Sequence, residues 1–114
     1  MNLREAFEKK NGNAFFEGRE KITLNELVEV HPEGVNLTSI YIGNGANGPY
    51  IAFTTKEEPN RYAFGGKVMY EDVTENWLAE HTVAEINAML ADMPCFVKFE
   101  LKKGINGRTY WDVL

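Results

Sequence analysis

At 114 residues, with 12 Lys and Arg against 17 Asp and Glu and a formal charge of -5, the chain has room for one domain with a small apolar core. That charge excludes a protein that coats duplex nucleic acid through a uniformly basic surface, although a local basic patch stays compatible with it. One cysteine, Cys95, leaves no internal disulfide and no cysteine-based zinc site, and no apolar run reaches the roughly 20 residues a membrane helix needs.

The first ten residues carry no apolar signal core, which points to a cytoplasmic chain with no membrane partner. They place Leu3 and Phe7 four apart among charges, the pattern of a short amphipathic helix that Asn11-Gly12-Asn13 would end; a frayed arm is the other reading. The adjacent rings of Phe15 and Phe16 read first as the anchor that docks this arm and second as an exposed contact surface. Thr23 followed by Glu26 is a capping box, and it predicts a helix over Leu24 to Val30 with Leu24, Leu27 and Val28 inward. A strand over Ile22 to Val30 competes, but Asn25, Glu26 and Glu29 fit it poorly. The segment from His31 through Pro32 to Gly34 stops the helix.

From Val35 to Ile42 the period becomes two, and the three-residue step from Leu37 to Ile40 calls for a bulge at Thr38 and Ser39 if both are buried. Gly43, Gly45 and Gly48 spell GxGxxG, yet Pro49-Tyr-Ile-Ala-Phe begins a strand where a dinucleotide site needs a helix, so no cofactor is expected. The segment 43–49 reads as a flexible connection. Pro49 to Gly66 then forms a hairpin at the middle of a sheet, turning through Glu57-Glu58-Pro59-Asn60, with Tyr62 and Phe64 on one face of its second strand and Arg61 and Ala63 on the other. Residues 67–93 read as helical, with Met69, Val73 and Trp77 every fourth residue and a second capping box at Thr82 and Glu85. Six acids lie between Glu71 and Asp92 with no Lys or Arg among them, a strongly negative outer face.

Cys95 to Lys103 and Arg108 to Leu114 both alternate. A two-residue turn at Asn106-Gly107 would set Leu101 opposite Asp112, whereas a three-residue loop of Ile105, Asn106 and Gly107 pairs Leu101 with Trp111 and Phe99 with Val113. The second register is expected. It exposes Lys98, Lys102, Arg108 and Tyr110, with Phe96 at the far end, and sets Glu100 opposite Asp112.

The order strand, strand, strand, helix, strand, strand is that of a small five-stranded oligonucleotide/oligosaccharide-binding (OB) Greek-key barrel, an α+β single domain. On this reading residues 1–34 are an N-terminal helical extension and residues 35–114 an OB-like barrel. The runs Tyr50-Ile-Ala-Phe-Thr-Thr-Lys-Glu-Glu-Pro, Arg61-Tyr-Ala-Phe-Gly-Gly and Asn106-Gly-Arg-Thr-Tyr-Trp-Asp-Val resemble small proteins from the early or replication regions of bacteriophages of Gram-positive bacteria. The resemblance spans residues 20–114 and implies single-stranded DNA binding in the host cytoplasm, with no catalytic residue to carry over.

Residues 95–110 hold Lys98, Lys102, Lys103 and Arg108 against Glu100 alone, and Arg61 and Lys67 are placed near them. The expected function is therefore binding of single-stranded nucleic acid, with Tyr110, Phe96, Tyr62 and Tyr50 stacking on bases. Phe53, Phe64, Phe99 and Trp111 are expected in the core. A second function class is an acidic interaction module, such as a phage factor that docks on a host or replication protein. An enzyme is not expected: His31 and His81 lack a nucleophile partner at a telling spacing, Cys95 reads as inert, and Glu71, Asp72 and Glu75 read as first-turn acids rather than metal ligands. The oligomeric state stays open, a homodimer included.

Overall fold

A computed structural model describes residues 14–114. The expected helix over the first ten residues lies outside them. After a helical turn at 14–16 the elements are β1 (Glu20–Lys21), α1 (Leu24–Val30), β2 (Val35–Gly45), β3 (Gly48–Thr55), β4 (Arg61–Phe64) and α2 (Lys67–Asp72). There follow a π-helical turn (Val73–Trp77), α3 (Val83–Asp92), β5 (Cys95–Val97), β6 (Phe99–Lys103) and β7 (Thr109–Val113). No helix among the described residues is long and apolar enough to cross a membrane.

The strands form a five-stranded sheet in the order β1-β4-β3-β2-β5 and a two-stranded β6-β7 ribbon. The barrel expected from the order of elements is therefore not present. Closure would require the last strand to pair with β4, but β4 has its free side taken by β1 in parallel, and α2 packs against β7 instead. The ribbon stays attached to the sheet at Lys98, whose amide and carbonyl both bond Leu114 and so continue the β6-β7 ladder toward β5. Residues 20–31 are likewise no appendage: Ile22, Leu24 and Leu27 belong to the main core and β1 is a sheet strand.

Local chemistry explains most of the elements. Thr23 caps α1 by accepting the Glu26 amide, while its hydroxyl donates to the Glu26 carboxylate. Thr82 and Glu85 form the full reciprocal box at α3. The amide of Arg61 donates to the Glu58 carbonyl, which closes the β3-β4 turn with Pro59 at its second position. The ladder between β2 and β3 shifts between Leu37 and Ser39, so Leu37 and Ile40 both reach the core across the bulge. Beyond that shift β2 has no strand on its outer side among the described residues, and Asn87 of α3 takes over. Its side chain accepts from the Ile40 amide at 2.7 Å and donates to the Ile40 carbonyl at 3.0 Å.

The fourfold spacing of Met69, Val73 and Trp77 exceeds the helical period, and on a regular α-helix such residues would drift by about 40° per step. The wider turn at Val73–Trp77 takes up that drift. The Leu78 amide bonds the Val73 carbonyl, and Thr74 and Asn76 side chains bond the carbonyls of Tyr70 and Asp72. The segment 43–49, expected as a loop, is mostly strand: β2 runs to Gly45 and β3 starts at Gly48, where φ is +107°. The GxGxxG thus runs from strand into strand.

The core lies on one sheet face, where Ile40, Ile51 and Phe53 meet Met69, Val73, Ile86 and Leu90 from the helices and Phe99 from the ribbon. Phe53 and Phe99 stack at 5.2 Å.

Candidate nucleic-acid interface

Strand alternation sends the neighbours of those core residues to the opposite face. Tyr41 follows Ile40 on β2, Tyr50 precedes Ile51 on β3, and Tyr62 and Phe64 flank Ala63 on β4. The register brings them into rows, with Tyr41 beside Ala52, Ala52 beside Phe64, and Gly43 beside Tyr50. A Cβ at Gly43 would come within 2.4 Å of the Tyr50 ring, so the glycine is what lets that ring lie across β2.

The rings are in mutual contact. Tyr50 meets Phe64 edge-on at 5.4 Å, Tyr62 meets Phe64 at 5.6 Å, and Tyr41 meets Tyr50 at 6.3 Å. Phe16 contacts Tyr41, Tyr62 and Phe64, and Phe15 stacks on Tyr41, so the pair itself docks on the sheet; the arm it is expected to anchor lies outside the described residues. Between Tyr41 and Phe64 lies Ala52, fully buried although it faces away from the main core. Two cations join this face: Lys21 of β1 places its ammonium 5.3 Å from the Phe64 ring centre, and Arg19 lies 5.4 Å from that of Phe15. Phe64 is 36% exposed, which corrects its expected place in the core. Trp111 is half-buried against the core, and Phe53 and Phe99 are within it.

The carboxyl-terminal ribbon has the three-residue loop and the expected register, Leu101 beside Trp111 and Phe99 beside Val113, with φ at Gly107 of +81°. Tyr110 is 41% exposed beside Lys102 in the ladder, and Phe96 is 58% exposed on β5, its ring against Gly34. Lys98, Lys103 and Arg108 are exposed. Lys102 is not a free cation. It pairs with Asp112, which raises the Lys102 pKa and lowers that of Asp112, the hydrogen bond between them being the main cause in both. Arg61 lies beside Glu20 in the β1-β4 pairing, and Lys67 reaches toward Glu71 at 3.9 Å. The predicted site residues therefore divide: Tyr50 and Tyr62 fall in the ring cluster, while Phe96, Lys98, Lys102, Lys103, Arg108 and Tyr110 occupy β5 to β7. Reading the sequence missed Arg19, Lys21, Tyr41 and Phe64 as site residues; the alternation of Tyr41 with Ile40 and Ile42, and of Phe64 with Ala63, was the available signal.

Near the β3-β4 turn, Glu57 accepts from the Asn36 backbone amide and from the Asn36 side chain, each at 2.8 Å. Burial pushes the Glu57 carboxyl up, but these two bonds and the neighbouring His31 outweigh it and hold the group below its ordinary value. The acids Asp72, Glu75, Glu80, Glu85 and Asp92 are exposed on the helical layer, which packs on the core face of the sheet, whereas Glu71, also exposed, lines a groove shared with Tyr50 at the edge of the ring cluster.

Comparison with protein families, curated proteins and solved structures finds no match for this chain.

Proposed function

We propose that the protein binds single-stranded nucleic acid, with single-stranded DNA the leading candidate, on the ring-bearing face of its sheet. The observation that carries this reading is that Tyr50, Tyr62 and Phe64 share one face with Lys21 while the acidic helices occupy the other. Base stacking on aromatic rings contributes about 1 to 3 kcal/mol per base and tolerates any sequence. Lys21 and Arg19 supply phosphate contacts at the cluster, while Lys98, Lys103 and Arg108 form a separate exposed cationic group from the residue before β6 to the ribbon loop. The binding is non-catalytic. A cytoplasmic setting and a role beside phage replication proteins rest on the resemblance of the three sequence runs named above.

Fluorescence anisotropy with labelled oligo-thymidine at low and moderate salt tests the reading. Tyr62→Ala should weaken binding by about fivefold to a hundredfold at every salt concentration. Lys21→Gln should lower the salt slope by about 0.7, the value for one phosphate contact on a single strand. Tyr110→Ala reports whether the strand continues onto the ribbon. Wild-type protein that binds no oligonucleotide at low salt refutes the proposal. The exposed acids of the helical layer then favour the second reading, an interaction module that presents carboxylates to a basic surface of a host or replication protein.

A further inference from the structure

Where the ring cluster ends, at Tyr50, a groove of about 490 Å³ opens between β3 and the start of α2. Tyr50 lines it from the strand and Tyr70 from the helix, with Asn47 contributed by the β2-β3 turn. The opening depends on Gly65, where a Cβ would lie 2.5 Å from the Met69 sulfur and 2.8 Å from Ile51, so a side chain there would push helix and strand apart. The charges at the groove cancel, since Lys67 faces Glu71 at 3.9 Å.

We infer that this groove, on the reading proposed above, receives one nucleobase turned out of the stack, and that Asn47 gives the protein a preference among bases. Three features carry the inference. The groove adjoins the cluster through the contact of Tyr50 with Phe64, so a strand lying on the rings passes its mouth. Its charges pair off, which suits a neutral heterocycle better than a phosphate. The Asn47 side chain offers both a donor and an acceptor, the combination that reads a base edge, whereas the rings stack on any base alike.

The test compares labelled homopolymers of thymidine, cytidine and deoxyadenosine with wild type, Asn47→Ala and Tyr62→Ala. Wild type should separate the best from the worst homopolymer by about fivefold or more, the worth of one satisfied hydrogen bond. Asn47→Ala, at an exposed turn, should remove that ranking, and Tyr62→Ala should weaken all three alike and keep it. Equal binding of the three by wild type, or an unchanged ranking in Asn47→Ala, overturns the inference and leaves the stacking face standing. Absence of all oligonucleotide binding instead removes the proposed function, and free nucleosides then decide for the groove. Amide shifts at Asn47, Gly65, Gly66 and Tyr70 in a nitrogen-15 spectrum support it, and their absence overturns it.

Discussion

Asn36 holds Glu57 with two donors from one residue, and it does so from β2, so the pair ties the start of the β3-β4 turn to the strand beside β3 in the sheet. Because the folded carboxyl is held below its ordinary pKa, its contribution to stability is complete above the unfolded value near 4.3 and is lost as pH falls through the lowered folded value. Asp112, lowered by Lys102, behaves in the same sense. Lys102, whose pKa is raised, contributes in full below about 10.4 and loses that contribution as pH climbs through its folded value. The melting temperature should therefore fall between about pH 5 and pH 2, and Glu57→Gln should flatten that fall while lowering the melting temperature at pH 7. Scanning calorimetry across this range measures both. An unchanged acid limb in Glu57→Gln would show that the Asn36 bonds form equally in the unfolded chain. The register that sets Glu100 opposite Asp112 calls for a neighbouring cation, with Lys98 and Lys102 the candidates in the sequence, and the structure selects Lys102 for Asp112. The ladder explains the choice of partner: the diagonal from Lys102 reaches Asp112 across the strand pair, where the ammonium meets one carboxylate.

Elements whose causes lie within a few residues were legible in advance. The bounds of α1, the α3 capping box, the β2 bulge and the ribbon register all follow from caps, period and turn chemistry. Elements that depend on distant partners were not. β1 consists of Glu20 and Lys21, which carry no strand pattern, and it exists because β4 offers an open edge. The widened turn at Val73–Trp77 reads as ordinary helix until the spacing of its apolar residues is set against the sheet they must cover. Asn87 gave no signal at all, since its value comes from a strand 47 positions earlier in the chain. Asn87→Ala should leave the Ile40 amide and carbonyl without these bonds and cost about 2 kcal/mol in urea denaturation. The Ile40 amide should then exchange with solvent faster than that of Leu37, which lies where β2 is still flanked by β5.

At the scale of the molecule, the sheet and the ribbon share a core in which Phe53 of β3 lies against Phe99 of β6. Phe53→Ala should cost about 3 to 5 kcal/mol, the range for emptying a buried aromatic site. The loss should appear as one cooperative transition, with fluorescence and far-ultraviolet circular dichroism superimposing, because the ribbon has no core of its own. Separate transitions would mean that the ribbon melts by itself. Three consecutive strands, a helical stretch and a closing hairpin were readable from the sequence, but β1, the break at Lys98 that divides 95–103 into β5 and β6, and the absence of barrel closure were not. Closure is decided by which edge meets which, and β1 and α2 occupy the places where β4 and β7 would have met. Similarly, the cationic group near the ribbon was legible because its lysines are close in sequence, whereas the ring cluster is assembled from four separate segments.

The placement of Asp72, Glu75, Glu80, Glu85 and Asp92 on the helical layer behind the sheet polarises the particle. On the proposed function, a polyanion approaching the helical layer would meet repulsion at a range of about 10 Å in ordinary salt. If a single strand binds the ring face as proposed, rotational diffusion in that field would favour correctly oriented encounters, and the carboxylates would raise the fraction of productive collisions without touching the strand. Neutralising three of them should quicken unproductive adsorption and leave the dissociation rate from the sheet unaltered.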